Sequence, residues 1–259
     1  METVWQRLRH FLQPTDAMPA GITPADGCFW RADMHAHLLP GVDDGVTSPE
    51  EAITCLRQLV EWGVQTVITT PHVSRDWYPD NTADALRAGQ AQLQALADEN
   101  DVPIRIGMAA EYMLDDYFPT LLAGRNLLAF GPENYLLIET GWASAPLFLD
   151  EMLFRIRTGG YVPVLAHPER YTYFHADLSR LTQLHEGGCL FQLNWMSLTG
   201  RYGSRVQAQA RRLLQNGWVD FIGSDLHRPA DLPALASLFT SPDYALLRQQ
   251  PLRNQDLLV

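Results

Sequence analysis

The sequence predicts an α/β domain built on a parallel sheet, which either closes as a barrel or stays open as a wound sheet. Seven short apolar runs rich in β-branched residues alternate with segments of helical periodicity. The chain has 259 residues, of which 46% are hydrophobic, enough for one large core. Ionisable residues follow six of the seven predicted strands, as they do at the functional face of parallel α/β barrels.

The predicted elements follow one another regularly along the chain. The first strand opens at 29–32, and a capping box at Ser48–Glu51 begins a helix that ends at Gly63. Further strands are predicted at 64–70, 104–110, 135–138, 162–166, 189–194 and 219–223. Further helices are predicted at 82–100, 146–158, 178–186 and 205–216, with a last helical region near the C-terminus. Residues 1–27 are predicted to form an appendage and linker, and residues 28–259 the domain.

Composition excludes several classes of function. The formal net charge of −11 and the isoelectric point near 5.1 argue against nucleic-acid binding, which needs a basic face. The chain contains no lysine, which excludes a Schiff base, a P-loop lysine and a carbamylated lysine between two metals. No apolar run reaches the roughly 20 residues of a membrane span. The N-terminus lacks the apolar stretch of a signal peptide, so we expect a cytoplasmic protein without membrane insertion.

The cysteines do not suggest a reactive site. Cys28, Cys55 and Cys189 are odd in number and far apart, which favours reduced thiols over a disulfide framework. None is followed six residues later by an arginine, so the Cys-x5-Arg loop, in which a thiolate attacks phosphorus, is absent. The sequence therefore predicts no cysteine nucleophile.

Histidine and carboxylate side chains mark the C-terminal ends of the predicted strands. His35 and His37 lie two residues apart on one face of the first strand, and the following turn brings Asp43 and Asp44 back towards them. The later strand ends carry His72, Glu111, Glu139, His167, Asp225 and His227. Because such ends converge over one face of a barrel, and because imidazole and carboxylate bind divalent metals, the sequence predicts a metal centre.

These motifs resemble the PHP-superfamily metal-dependent phosphoesterases. The resemblance lies in Asp-x-His-x-His at 33–37, Pro-His at 71–72, the glutamate ending strand three, His-Pro-Glu-Arg-Tyr at 167–171 and Ser-Asp-x-His at 224–227. Together with Val-Asp-Asp-Gly at 42–45, the motif at 167–171 is similar to the bacterial manganese-dependent protein-tyrosine phosphatases of capsule and exopolysaccharide operons. The resemblance covers about residues 30–228 and implies the PHP fold, a distorted TIM-like (β/α)7 barrel.

The resemblance also implies three divalent metal ions. Mn²⁺ is favoured, with Fe²⁺ or Zn²⁺ as alternatives, because the donors are oxygen and imidazole without a thiolate. Carried over by position, the ligands of the first ion are His35, His37, Glu111 and Asp225, those of the second are Glu111, Glu139 and His167, and those of the third are Asp43, His72 and His227.

The implied reaction is hydrolysis of phosphotyrosine by a metal-bridging hydroxide. Arg170, three residues after His167, is expected to contact the non-bridging phosphoryl oxygens with two donors. Asp44 is the side chain that can serve as a general acid, and a metal-bound water is the alternative. The implied substrate is a phosphotyrosine protein, in particular the tyrosine-rich tail of a bacterial tyrosine autokinase that controls polysaccharide synthesis.

Three other interpretations stay open at this point. One is a PHP phosphatase for a small phosphate monoester such as histidinol phosphate. Another is an amidohydrolase, which also begins with His-x-His but commonly uses the carbamylated lysine that this chain lacks. The last is a metal-bound regulatory domain without catalytic activity, which the complete set of ligand residues disfavours.

Overall fold

The computed structural model describes residues 27–142 and 144–258. The predicted appendage at 1–27 therefore lies, apart from Gly27, outside the described residues, and its separation from the domain stays a prediction.

Parallel strands form the centre of the molecule. Their bounds are β1 Ala32–Ala36, β2 Thr66–Thr69, β3 His72–Val73, β4 Arg105–Met108, β5 Glu111–Met113, β6 Tyr135–Glu139, β7 Val162–Ala166, β8 Leu190–Asn194 and β9 Phe221–Gly223. They pair in a three-stranded sheet of order β1-β2-β4 and a six-stranded sheet of order β3-β5-β6-β7-β8-β9, and every pairing between neighbours is parallel.

Two of the predicted strands are interrupted near their C-terminal ends. The second strand divides into β2 and β3 at Thr70–Pro71, and the third divides into β4 and β5 at Ala109–Ala110. The chain keeps its direction across both gaps, because Ala109 N donates to Thr69 O at 3.0 Å and Glu111 N donates to Pro71 O at 3.1 Å. The seven predicted strands thus correspond to the observed ones, and the interruptions move His72 and Glu111 into short strands of their own.

The sheet curls until its last strand lies beside its first. Asp225 N donates to His35 O at 2.8 Å, and His37 N donates to Leu226 O at 2.9 Å. The Asn254 side chain joins the same two strands from below, because its amide donates to Ala32 O at 2.7 Å and to Ile222 O at 2.8 Å. The architecture is therefore an α/β fold with a curled parallel sheet, consistent with a distorted TIM-like barrel, and its strands all end on one face.

Helices surround this sheet. Their bounds are α1 Pro49–Glu61, α2 Ala83–Glu99, α3 Phe118–Gly124, α4 Leu149–Thr158, α5 Ser179–Glu186, α6 Trp195–Leu198, α7 Ser204–Gln215, α8 Leu232–Ala236 and α9 Pro242–Leu247. Ser48 caps the first helix as predicted, since its side chain accepts from Glu51 N at 3.3 Å, and the Glu51 carboxylate accepts from Thr47 N at 2.8 Å. The short helices α3 and α6 were not predicted. In the part of the chain that is described, no helix has the length and apolar character needed to cross a membrane.

Apolar side chains pack in two buried clusters. The larger cluster joins the helices to the sheet and includes the contacting rings of Trp30, Trp62 and Trp195. The smaller cluster contains residues from five strands, namely Met34, Ile68, Leu137, Val164 and Phe221. Because these strands lie all round the curled sheet, we infer that the second cluster fills its interior. The packing fixes the strands and with them the residues at their ends.

Candidate metal centre

The predicted ligand residues meet in one cleft at the C-terminal ends of the strands. The cleft is open to solvent and has a volume of about 880 Å³. Its lining includes the aromatic side chains Trp77, Tyr78, Trp142 and Tyr202 and most of the candidate ligands, namely His72, Glu111, Glu139, His167, Asp225 and His227, whereas His35 and His37 lie beneath it. Although most of the ionisable residues that the structure describes are exposed or partly exposed, Glu111, His35 and His37 are fully buried. Burial of so many ionisable groups is costly unless each has a partner or a bound metal.

Four overlapping groups of side chains have the spacing needed to hold a metal ion. In each group, one ligand atom from every residue lies within 4.8 Å of the others. The groups are His35, His37 and Asp225; His35, Glu111 and His167; His72, Glu111 and Glu139; and His37, Asp44, His72 and His227. The structure thus brings together eight of the nine predicted ligands and adds Asp44.

The tautomer of His35 follows from its neighbour Gln192. The backbone N–H of His167 donates to Gln192 Oε1 at 3.2 Å, which identifies this atom as the amide oxygen. His35 Nδ1 lies 2.9 Å from the same oxygen and must therefore be the donor. Neutral His35 consequently presents the lone pair of Nε2 to the centre of the cleft.

His37 is oriented in the same way by Asp43. Its Nδ1 lies 2.8 Å from Asp43 Oδ2, which also accepts from His72 N at 3.1 Å. The Nε2 atoms of His37 and His35 then lie 3.1 Å apart, with Asp225 Oδ1 at 3.4 Å from each. Two imidazole lone pairs and a carboxylate oxygen at this distance repel one another unless a cation lies among them. This arrangement fits a divalent metal ion.

His227 has its Nδ1 fixed by the main chain. This atom donates to the backbone carbonyl of Asp225 at 2.8 Å, which leaves Nε2 to face Asp44 Oδ1 at 3.5 Å. His72 Nε2 lies 3.4 Å from the same oxygen of Asp44. Two imidazoles and one carboxylate therefore converge at the rim of the cleft, next to the ring of His37 at 4.1 Å from that of His227.

Glu111 lies at the centre of the buried part of the site. Its Oε2 is 3.2 Å from His35 Nε2 and 3.3 Å from His72 Nδ1, and its Oε1 is 3.0 Å from His167 Nε2. Although its burial raises the pKa, the imidazoles of His35, His72 and His167 hold it well below its ordinary value. Its Oε1 is buried and accepts no hydrogen bond from any described group. A carboxylate with two oxygens directed at different histidines is suited to bridge two cations.

The carboxylates also alter the pKa values of the histidines. Burial by itself lowers the pKa of His37, but Asp43, Asp225 and Glu111 raise it well above its ordinary value. In His72, burial is likewise outweighed by Glu111 and Glu139, and the pKa rises to about 9. His167 differs, since burial dominates there and lowers its pKa to about 4. The negative field of the carboxylates thus attracts cations, whether protons or metal ions.

The structure exchanges the predicted places of Asp43 and Asp44. Asp43 was expected to bind the third ion, but its carboxylate accepts from His37 Nδ1, His72 N and Gly45 N and belongs to none of the four groups. Asp44 was expected to be a general acid, but it lies among the histidines at the rim. Its contact with His227, together with the nearby imidazoles of His72 and His37, holds the pKa of Asp44 well below the ordinary value, so that at neutral pH Asp44 has no proton to give.

Arg170 lies in the cleft beside the candidate ligands, as its position in the sequence predicted. Its Nη1 donates to Asp225 Oδ2 at 2.8 Å, and the same oxygen accepts from Asn194 Nδ2 at 2.6 Å. The guanidinium carbon lies 4.6 Å from the centre of the Trp142 ring and 4.2 Å from that of Tyr202. The side chain is about one-fifth exposed, so it remains accessible from the cleft.

Sequence reasoning missed the side chains that support the ligands. Gln192 and Asn194 lie on β8, the one predicted strand that carries no ionisable residue at its end. Glu169 is fully buried behind them and accepts from Asn194 N at 3.0 Å and from Ser197 Oγ at 2.6 Å. Burial raises its pKa to about 7. The sequence did contain a signal for the residues on β8, because Gln192 and Asn194 are polar side chains two positions apart in an otherwise apolar strand and so point to the same side of the sheet.

Two of the candidate ligands have unusual backbone conformations. His167 has φ +34° and Asp225 has φ +53°, both in the left-handed region that non-glycine residues rarely adopt. Each lies just after a strand, β7 or β9, where the chain turns over the cleft. Backbone strain of this kind is retained where it aims a functional side chain.

Comparison with known proteins identifies the family. The family model for capsular polysaccharide synthesis, CpsB/CapC, matches residues 31–237. The chain belongs to the CpsB/CapC family. Relatives include the tyrosine-protein phosphatase YwqE of Bacillus subtilis, 32% identical over 195 residues and matched over 75% of this chain and 76% of the relative. The tyrosine-protein phosphatase CpsB of Streptococcus pneumoniae is 27% identical over 202 residues, which cover 75% of this chain and 82% of the relative.

Solved structures agree with this membership. A structure of the CpsB/CapC family, from a study of YwqE of Bacillus subtilis and CpsB of Streptococcus pneumoniae, superposes with a TM-score of 0.73 at 29% identity, covering 85% of this chain and 96% of the other. That study describes the two proteins as unique metal-dependent tyrosine phosphatases. An organophosphorus hydrolase from Deinococcus radiodurans, 15% identical with a TM-score of 0.50 over 88% of this chain and 92% of that one, shares the fold alone.

Proposed function

We propose that this chain is a metal-dependent protein-tyrosine phosphatase. The observation that carries the proposal is the convergence of the Nε2 atoms of His35 and His37 with the carboxylates of Glu111 and Asp225 in a buried site. Proteins that share the fold and the family are described as metal-dependent tyrosine phosphatases. No comparable support favours a small phosphate monoester, an amide substrate or a purely regulatory domain.

Three divalent ions fit the donor set, and Mn²⁺ is the ion we favour. His35, His37 and Asp225 would hold the first ion, and Asp44, His72 and His227 the third. The second would be held by Glu111, which groups with His167 in one set of side chains and with Glu139 in another, and Glu111 would be shared with the first. Asp43 and Gln192 would orient His37 and His35 without binding metal themselves. The mixture of carboxylate and imidazole suits Mn²⁺ or Fe²⁺, and it contains no thiolate that would select Zn²⁺.

When bound, such ions neutralise a phosphoryl group and lower the pKa of water, which supplies the nucleophile for in-line displacement at phosphorus. The chain's own contribution is to position the ester. Arg170 faces the cleft from beside Asp225 and can donate to the phosphoryl oxygens as their charge develops. No cysteine takes part, because all three are buried, and burial raises the pKa of Cys189 to about 12.

The walls of the cleft suit an aromatic leaving group. Tyr78 stacks on His72 with ring centres 5.7 Å apart, and Trp77 is exposed at the mouth. Because phenolate leaves more readily than an alkoxide, a phenyl ester needs less help from a general acid, and Asp44 is not required in that role. We propose a phosphotyrosine protein as the substrate, and in view of the capsule-synthesis family the tail of a cytoplasmic tyrosine autokinase as the physiological one.

A substrate panel tests this proposal. Purified protein would be loaded separately with Mn²⁺, Fe²⁺ or Zn²⁺ and assayed on a phosphotyrosine peptide, a matched phosphoserine peptide and histidinol phosphate. We expect turnover of the phosphotyrosine peptide to exceed that of the other two by at least about tenfold. Preference for histidinol phosphate, or absence of turnover with every ion, would overturn the assignment.

A further inference from the structure

Arg170 reaches the cleft with few constraints from its own segment of chain. It ends a short 3-10 turn, Pro168–Arg170, and its only side-chain hydrogen bond among the described residues goes from Nη1 to Asp225 Oδ2. A single hydrogen bond at one end of a guanidinium allows the group to rotate about that contact. The remaining N–H groups would then point in several directions, which is unsuitable for a donor that must meet two phosphoryl oxygens together.

Two aromatic rings restrict this rotation. The guanidinium carbon lies 4.6 Å from the ring centre of Trp142 and 4.2 Å from that of Tyr202. Both distances lie well within the range of a cation–π contact. The rings come from separate segments, since Trp142 follows β6 and Tyr202 precedes α7. Neither ring accepts a conventional hydrogen bond from Arg170, so the N–H groups that are not bonded to Asp225 remain able to donate to an anion.

Trp142 is itself held against the metal centre. Its indole stacks on the imidazole of His167, with ring centres 5.5 Å apart and planes 16° apart, and it also contacts the ring of Tyr171 at 5.3 Å. Nevertheless the side chain is 46% exposed, and the residues around it, Gly141 and Ser144, are exposed as well. Packing of the core therefore does not account for the position of Trp142, whose ring contacts both His167 and the Arg170 guanidinium.

We infer that Trp142 and Tyr202 are positioning residues that direct the Arg170 guanidinium towards the phosphoryl group. This inference rests on the proposed function and goes beyond it, because the two rings act through Arg170 and touch neither the metals nor the phosphate. Their role is to supply planar faces, so another aromatic residue can replace them in part, whereas an aliphatic residue of similar size cannot.

A double-mutant cycle tests the inference on the metal-loaded protein. Trp142→Leu and Tyr202→Leu should each lower kcat for a phosphotyrosine peptide by about tenfold, the loss of one cation–π contact. In an Arg170→Ala background the same two substitutions should change kcat less than about twofold, because the group that they position is gone. Trp142→Phe and Tyr202→Phe should restore most of the activity. Phe154→Leu, at an exposed aromatic residue on the outer helix α4, is the matched control and should have no effect.

Two outcomes would overturn the positioning role. Equal losses of kcat in the wild-type and Arg170→Ala backgrounds would mean that the rings contact the substrate directly. Loss of bound metal in Trp142→Leu, measured by elemental analysis, would mean that the ring supports His167 instead of Arg170.

Binding of inorganic phosphate separates this inference from the proposed function. Calorimetry on the same variants should show weaker phosphate binding for Trp142→Leu than for the wild type, whereas Trp142→Leu should cause no further weakening in the Arg170→Ala background. If wild-type protein binds phosphate in this pattern but hydrolyses no phosphotyrosine peptide, the proposed substrate is wrong and the positioning role stands. Additive weakening in the cycle contradicts the positioning role whatever the enzyme hydrolyses.

Discussion

At the scale of single residues, a hydrogen bond fixes one ring nitrogen in three of the candidate ligand histidines, His35, His37 and His227. Gln192 and Asp43 accept from the Nδ1 atoms of His35 and His37, and a main-chain carbonyl accepts from that of His227. Because a neutral imidazole carries one proton, fixing the proton on Nδ1 leaves the lone pair of Nε2 available. The protein therefore sets the direction of its ligands before any ion binds.

The different surroundings of Asp43 and Asp44 lead to opposite expectations for their substitution. Asp44→Asn should reduce bound metal from the three ions per chain that we propose towards two, because it removes a carboxylate that faces two histidines. Asp43→Asn should keep three ions but weaken binding by about 10- to 100-fold, the usual effect of losing an orienting partner. Equilibrium dialysis with elemental analysis measures both quantities. Full metal content in Asp44→Asn combined with loss of one ion in Asp43→Asn would restore the sequence-based assignment.

Replacement of Arg170 should affect turnover far more than structure. Arg170→Ala should lower kcat by two to three orders of magnitude, or about 3–4 kcal/mol, because a charged contact to the transition state is lost. Arg170→Lys should recover only part, since an ammonium group cannot reproduce the planar pair of donors. Metal content and melting temperature should change little.

The control for this experiment is Arg155→Ala on helix α4. Arg155 forms an exposed ion pair with Glu151 at 2.5 Å, and such pairs contribute less than about 1 kcal/mol. Near-wild-type kcat/KM for Arg170→Ala would mean that Arg170, like Arg155, only forms an ion pair and takes no part in the mechanism.

Thiol chemistry should be irrelevant to activity. Cys28, Cys55 and Cys189 are buried, and burial raises the pKa of each thiol, so that almost no thiolate forms near neutral pH. Iodoacetamide at pH 7.5 should therefore leave the activity unchanged over the time in which it inactivates a cysteine-dependent phosphatase. Stoichiometric inactivation, prevented by phosphate, would contradict a metal-based mechanism.

At the scale of elements, the sequence predicted the positions of the strands well. It did not predict the interruptions at Thr70–Pro71 and Ala109–Ala110, or the side chains that support the candidate ligands. Helical periodicity and the capping box at Ser48 located the first two helices to within a few residues. Hydrophobic periodicity does not reveal that Pro71, which has no N–H group, divides a strand. It also does not show which of Asp43 and Asp44 faces the histidines at the rim of the cleft. Trp142 was missed for a similar reason: it lies in a connecting segment, whose path depends on tertiary contacts.

The junction between β1 and β9 leaves no room for an extra carbon atom at Gly223. A Cβ there would lie 2.6 Å from His35 Cβ and 3.0 Å from Gln192 Nε2. Gly223→Ala should therefore displace His35 and lower the free energy of unfolding by about 1–3 kcal/mol, with weaker metal binding. Thermal melts of the metal-free and metal-loaded variant measure the two effects.

The matched control is Gly124→Ala, where nothing lies within 4 Å of the added carbon. This substitution should leave stability and metal binding near those of the wild type. If Gly223→Ala behaved in the same way as Gly124→Ala, the close approach of the two strands would not be what places His35.

At the scale of the whole molecule, metal binding should contribute to stability as well as to activity. The chain carries a formal net charge of −11, and the centre gathers several of its buried carboxylates. Removal of metal leaves these carboxylates close together without a counter-charge. A ligand that binds only the folded state raises the free energy of unfolding by about 2.7 kcal/mol when its concentration is a hundred times Kd. Treatment with a chelator should therefore abolish turnover and lower the melting temperature by several degrees, both reversed by Mn²⁺. Metal-free protein with full activity would refute the metal mechanism.

The pairing of β1 with the segment after β9 has a consequence for how the protein is made. Ser224 Oγ donates to the main-chain carbonyl of His35, which lies 189 residues away in the chain. During translation His35 and His37 are synthesised early, whereas Asp225 and His227 are added only when nearly all of the polypeptide has been made. Closing so long a loop is entropically unfavourable and slow. The proposed metal centre should therefore be completed late in synthesis, because a nascent chain that stops before residue 225 lacks Asp225 and His227.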